Sequence, residues 1–266
     1  MLISVGLGLI VGVILALTGA GGGVLAVPLL VFGVGLRVAE AGPIGLLAVG
    51  MAAALGAVFG LKAGTVRYKA ALLMAGTGML LSPLGIWLAN RVDNRWLSIL
   101  FAIVLLLVAY RTFRQAHDLP KSNEQIADRT PPCVRDSDNG RFVWTARCAG
   151  VLALSGTVAG LLSGLLGVGG GFVLVPVLQR YTDLAMQAVV ATSLAVIALV
   201  SVSGVVSGAL AGNLNWKIAV PFCAGSLAGM IGGRLISSRL AGPHLQYGFA
   251  VVSALVAVVM IGKSLL

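Results

Sequence analysis

The sequence predicts an all-α membrane protein. It is read as a polytopic helix bundle of two homologous halves with about eight transmembrane helices (range about 8–10) and glycine-broken or re-entrant segments. Three observations predict this. The 266 residues are 59% apolar and only 10% charged, whereas a soluble domain carries about 25% charged residues. The apolar residues fall in runs approaching the ~20 residues of a membrane helix rather than in alternating strands of about ten, which favours helices over a β-barrel. Finally, Gly19-Ala20-Gly21-Gly22-Gly23-Val24-Leu25-Ala26-Val27-Pro28 returns as Gly167-Val168-Gly169-Gly170-Gly171-Phe172-Val173-Leu174-Val175-Pro176, with every glycine and the proline at a constant offset of 148.

The first half, residues 1–110, contains five apolar runs: Leu2–Leu17, Val24–Leu36, Ala41–Leu61, Ala70–Ala89 and Trp96–Tyr110. The first two are short for a span and are separated only by Thr18 and the glycine cluster. They read as one helical hairpin, one broken helix or a re-entrant pair. No Lys or Arg precedes Arg37, so the basic n-region of a cleavable signal peptide is absent. The equivalent run Ala149–Leu166 is internal, and the first segment is therefore expected to stay in the mature chain.

Residues 111–147 are polar, with Pro131-Pro132 and Asp136, Asp138, Asn139 and Gly140, and read as a solvated linker. Their basic residues, Arg111, Arg114, Lys121, Arg129, Arg135, Arg141 and Arg147, place this linker in the cytoplasm by the positive-inside rule. The second half, residues 148–266, repeats the first without a gap. Lys69/Lys217, Arg91/Arg239, Phe101/Phe249 and the glycine pairs Gly8/Gly156, Gly12/Gly160 and Gly64/Gly212 share the same offset.

Topology turns on the short pair. If Leu2–Leu36 crosses twice, each half has about five crossings and the repeats are inverted. If it re-enters or crosses once, each half is expected to have about four and the repeats to be parallel. Lys62, Arg67 and Lys69 fall on the linker side, as the charge rule wants. Arg234 and Arg239 inside favour inversion; Lys217 inside favours parallel halves.

The net charge of +10 does not indicate nucleic acid, because the basic residues lie between apolar runs. Cys133, Cys148 and Cys223 show no CxxC spacing, so neither a metal site nor a disulfide framework is expected. No cofactor is implied. HExxH and GxxxxGK[ST] are absent, and no GxSxG sits in a catalytic setting, so the chain is not read as an enzyme.

A new helix starting after Gly19, Gly21, Gly22 and Gly23, or after Gly167, Gly169, Gly170 and Gly171, leaves its first N–H groups unpaired at the positive end of the helix dipole. That is a site for an anion, and glycine lets a ligand approach the backbone. Two such starts near the midplane make a composite site. The plainer role for Gly8, Gly12, Gly56, Gly60, Gly204, Gly208, Gly212, Gly229 and Gly233 is close helix packing. Pro28 and Pro176, about one turn into the next helix, are expected to kink or fix it.

The motif GxGGGxxxVPxL in both halves, with Ala191-Thr192-Ser193-Leu194 and Gly212-Asn213-Leu214-Asn215-Trp216-Lys217, resembles the sulfite exporter TauE/SafE family. The resemblance implies a multi-pass transporter of the inner or plasma membrane that moves small anions such as sulfite, sulfoacetate and related sulfonates. It ranks Thr192 and Ser193 as substrate contacts. The first half departs from the pattern, with Ile44 and Gly45 at the equivalent places, so the site is expected to be asymmetric.

Other hydroxyls in the runs, Thr18, Ser82, Ser155, Thr157, Ser163, Ser201, Ser203 and Ser207, are expected mostly to bond back to their own helices. No Asp or Glu lies at the centre of a run; Glu40 and Asp183 sit at edges, so no buried carboxylate relay is visible. Arg234, near a run end, is expected to snorkel. Trp87, Trp96, Trp144, Trp216 and Tyr68 suit an interfacial belt. The leading reading is a secondary transporter of a small anion in the lipid bilayer. A coupling ion, proton or sodium, and a homo-oligomeric assembly are left open. The alternative is a membrane-embedded structural or assembly subunit that needs its glycines only for packing.

Overall fold

The computed structural model describes residues 2–118, 133, 145–212, 214–240 and 243–265. The side chains of 18–21, 115–118, 236–240, 243–247 and 263–265 lie outside the description, as do Trp144, most of the linker and the side chains of His117, Arg239 and His244.

Helix α1 (Leu2–Thr18) runs into a tight 3-10 stretch, Gly19–Leu25, and a short α2 (Ala26–Gly33). Three long helices follow: α3 (Val38–Lys62), α4 (Tyr68–Arg91) and α5 (Asn94–Asp118). The second half repeats the order with α6 (Ala146–Leu166), a short α7 (Gly171–Tyr181), α8 (Met186–Leu210), α9 (Trp216–Leu240) and α10 (Pro243–Leu265). Among the described residues six helices are long and apolar enough to cross a membrane: α3, α4, most of α5, α6, α8 and most of α9. The outward faces are apolar, with Leu80 and Leu235 each 76% exposed. A soluble protein would not tolerate such a surface, and lipid solvates it.

The pairing of helices follows the internal repeat. α1 packs on α9, and its equivalent α6 packs on α4, the equivalent of α9. Both pairs run parallel: Gly8 lies on Phe222 and Gly12 on Ser226, while Gly156 lies on Met74, Gly160 on Gly78 and Gly164 on Ser82. At each of these glycines a methyl group would overlap the backbone of the opposite helix, which is the close approach that small residues permit in membranes. The two central helices, α3 and α8, pack antiparallel, with Gly60 against Ala191, Gly56 against Leu194, Gly50 against Ser201 and Gly208 against Pro43. α5 and α10 pair at the periphery.

The packing role expected of Gly8, Gly12, Gly56, Gly60, Gly204, Gly208, Gly229 and Gly233 agrees with these contacts. Gly212 differs. It takes φ +74 with open space around it, as Gly64 does at φ +66, so both make the left-handed turn that ends a helix. Pro28 also differs from expectation. α2 begins at Ala26, so Pro28 sits in the first turn, where a missing N–H costs nothing. Pro176 lies inside α7, beyond its first turn.

The absence of a disulfide is overturned. Cys133 and Cys148 are bonded, with Cα atoms 5.1 Å apart. The chain folds back so that Cys133 meets the first turn of α6, and a spacing of 15 residues carries no signal of that return. Cys223 is free and buried in α9.

Candidate functional site

The two glycine clusters form the tips of two helical hairpins. In the first, the chain turns back on α1, so that a Cβ at Gly22 would lie 2.5 Å from the Leu15 amide nitrogen, and Gly33 at the end of α2 packs on Leu7. In the second, Gly167 ends α6 in the left-handed conformation with φ +72, its N–H bonding Ser163 O at 2.8 Å. Gly169 and Gly170 follow at φ +79 and +68, and Gly170 caps α7. Three left-handed glycines within four residues reverse the chain. A side chain at any of them is strained by about 1–2 kcal/mol before packing is counted. Packing adds to this, since Gly167 presses on the backbone of Gly42 in α3 and a Cβ at Gly170 would lie 2.6 Å from Ala159 O.

The tips meet. A Cβ at Gly23 would lie 3.0 Å from Val168 O and 2.9 Å from Val49 Cγ1, and one at Gly169 would lie 3.5 Å from the same Val49 atom and 2.8 Å from Ile197 Cγ2. Val49 of α3 and Ile197 of α8 occupy equivalent places in the two halves, and both are fully buried. The starts of α2 and α7 are therefore brought to one place, between the central antiparallel helices. Gly22, Gly23, Gly167, Gly169, Gly170 and Gly171 are all buried. For Gly19 and Gly21 the structure describes the backbone turn alone.

Thr192 and Ser193 sit elsewhere on α8. Both are fully buried, one to two turns from Ile197 toward the linker end of the bundle. Thr192 Oγ1 accepts the Arg67 N–H at 3.1 Å, which ties α8 to the start of α4. Ser193 Oγ is buried with no hydrogen-bond partner, as are Ser82, Ser163 and Ser201. Back-bonding holds for Ser155, whose hydroxyl donates to Leu152 O at 2.7 Å. Ser203 and Ser226 instead donate across helices, to Met79 O at 2.9 Å and Ala48 O at 3.4 Å. Ser201, expected from the sequence to bond back to its own helix, instead faces Gly50 one turn beyond Ile197 and has no hydrogen-bond partner. A lone serine in an apolar helix carries no signal of what it faces.

At the end of the bundle away from the linker, an open cavity of about 430 Å³ is lined by Leu36, Glu40, Ile44, Gly212, Leu214 and Asn215. One of its lining residues, Ile44, is next to Gly45, where a Cβ would lie 3.0 Å from Gly167 O. Charged side chains stay at the ends of the helices: Arg91 stacks over Trp87 at 4.9 Å and Arg234 over Phe59 at 4.3 Å. Trp87, Trp96, Trp216 and Tyr68 are all more than half exposed at helix ends, which fits an interfacial belt. Among the described residues no group of His, Cys, Asp and Glu is placed to hold a metal ion.

The family model described as sulfite exporter TauE/SafE matches residues 4–260, both hairpins included. The chain belongs to the sulfite exporter TauE/SafE family. A "probable membrane transporter protein" of Xylella fastidiosa (strain Temecula1) is 29% identical over 271 residues, covering 99% of this chain and 96% of the relative. The "probable membrane transporter protein YunE" of Bacillus subtilis (strain 168) is 28% identical, covering 90% of this chain and 89% of its own. A similarly named protein of Methanocaldococcus jannaschii is 28% identical over 206 residues, covering 75% and 69%. No solved structure matches the chain. The TauE/SafE fold described above is accordingly that of a multi-pass membrane protein of a transporter family.

Proposed function

We propose that the chain is a secondary transporter of a small anion, sulfite or a sulfonate or a related organic anion, working by alternating access around the paired hairpin tips. The observation that carries this reading is the meeting of the two glycine clusters at Val49 and Ile197. The second cluster caps a new short helix, α7, at Gly170, and a helix start offers N–H groups and a positive dipole end to an anion; the first cluster differs, running as a 3-10 stretch directly into α2. The buried, unpartnered Ser193 and Ser201 hydroxyls lie about one helical turn to either side of Ile197 on α8. The family description names sulfite and is the reason to place it first among the substrates.

The proposed topology has re-entrant hairpins and three full crossings per half, eight long helices in all when α1 and α6 are included. An odd number of crossings inverts the second half relative to the first. The antiparallel packing of α3 on α8 and the parallel packing of α1 on α9 and of α4 on α6 support it. In this arrangement re-entry goes with inversion, because each hairpin returns to the side from which it entered. The linker end carries Lys62, Arg67, Lys69, Arg147 and Arg180 and is assigned to the cytoplasmic side of the inner membrane. The cavity beside Glu40 is then the outward access path, and the tight tips close the inward one. A coupling proton or sodium ion belongs to the same scheme, with Glu40 as the carboxylate at its mouth.

The test uses purified chain in liposomes and labelled sulfite, sulfoacetate and thiosulfate. Val49→Ala and Ile197→Ala each remove buried methyl groups beside the tips. They are expected to change KM for the transported anion at least about threefold while costing about 1–4 kcal/mol of stability. Saturable flux with KM unchanged in both variants rejects the site; no flux from folded native chain rejects the transporter.

A further inference from the structure

We propose that the Cys133–Cys148 disulfide is a redox-operated latch on the second hairpin. Cys148 lies in the first turn of α6, where its N–H bonds the capping Thr145 hydroxyl at 3.2 Å. Cys133 is joined to the far end of the same hairpin: its N–H donates to Tyr181 O at 3.2 Å, and the Asp183 N–H donates to Cys133 O at 3.4 Å. One residue therefore holds together the start of α6 and the end of α7, the two open ends of the hairpin whose tip is Gly167–Gly171. Both cysteines are fully buried, and Thr182 between the bonded residues is buried as well.

The first hairpin has no such tie. The positions equivalent to Tyr181 and Asp183 are Gly33 and Gly35, and Gly35 has open space around it. The two halves are thus alike at the tips and unlike at the bases. One hairpin is fastened by a bond that chemistry can open, and the other contains no cysteine.

The linker end is the basic end of the bundle, which the charge rule turns to the cytoplasm, where thiols hold disulfides reduced. A disulfide on that face reports the thiol balance rather than serving as a permanent staple. Opening it requires two thiol equivalents. A thiolate attacks one sulfur, a mixed disulfide forms, and a second thiol displaces it. The balance is RS–SR + 2 R′SH → 2 RSH + R′S–SR′, with Cys133 and Cys148 gaining two electrons and two protons. The bond then no longer joins the ends of α6 and α7, and two backbone hydrogen bonds remain. The proposal rests on the hairpin being the moving part of the transport cycle proposed above: oxidised, the hairpin is pinned; reduced, it moves.

The test measures amide hydrogen exchange on the full chain in detergent micelles, with and without dithiothreitol. Thiol titration confirms that reduction has occurred. The latch predicts exchange across Val173–Tyr181 at least about tenfold faster after reduction, in the native chain and equally in Cys223→Ser. Cys133→Ser and Cys148→Ser are expected to exchange at the fast rate without reductant and not to respond to it. Unchanged exchange after reduction of the native chain overturns the latch, as does a response that persists in Cys133→Ser. Anion flux in liposomes is followed in parallel: flux that is measurable but identical in both redox states overturns the regulatory role. Absence of flux in both states counts against the transporter reading, and exchange then judges the latch alone.

Discussion

At the scale of single residues, the glycines of this chain divide by what surrounds them. Gly167 combines a left-handed backbone with contact to Gly42, so Gly167→Ala is expected to cost about 2–5 kcal/mol from the two effects together. Gly150 in α6 has open space where a Cβ would go, and Gly150→Ala is expected to be neutral or to stabilise by up to about 1 kcal/mol. Thermal unfolding of both variants in one detergent checks the contrast; equal midpoints would contradict it. Thr192 and Ser193 separate in the same way. Thr192→Val leaves the Arg67 N–H without its acceptor and is expected to lose about 1–3 kcal/mol of stability. Ser193→Ala removes a hydroxyl with no partner; its midpoint should stay within about 0.5 kcal/mol of native, while KM for the transported anion rises. Adjacent in sequence, the two hydroxyls were indistinguishable until the Arg67 amide was placed beside one of them.

At the scale of elements, the hairpins carry the architecture. Gly22 lies against Leu15 and Gly33 against Leu7, so α2 returns along α1 instead of continuing away from it. A Leu7→Cys, Gly33→Cys pair in a chain lacking the native cysteines is expected to cross-link within one molecule on mild oxidation, read as the loss of both free thiols in denatured, monomeric chain. A continuous helix through residues 19–25 would leave the two thiols far apart and unlinked. The repeat, the broken segments and the packing glycines were legible because they are written in spacing and residue type. The direction of the short pair was not, since apolar runs of this length suit a hairpin and a crossing equally. The disulfide was illegible for a related reason: a spacing of 15 residues between Cys133 and Cys148 carries no local pattern that says the two side chains meet.

At the scale of the whole molecule, helices of equal rank in the two halves exchange partners, α1 with α9 and α6 with α4, around the antiparallel pair α3 and α8. In the transport cycle proposed above, two similar bodies rock about a shared centre, with the glycine tips at that centre. The inverted topology proposed above puts residue 2 and residue 265 on one side and the linker on the other. Membrane-impermeant maleimide on single-cysteine variants at these places is expected to label the linker only from the cytoplasmic face and both termini only from outside. Of the site, the clusters and their likeness were legible from sequence; their meeting at Val49 and Ile197 was not, because it depends on how two distant helices cross. The central claim is that this chain alone moves a small anion through that meeting point. Flux of labelled sulfite, sulfoacetate and thiosulfate into liposomes carrying the purified native chain tests it most directly. Saturable flux of one of these anions, competed by the others, is the predicted result; flux no greater than in empty liposomes, from chain that unfolds cooperatively, would contradict it.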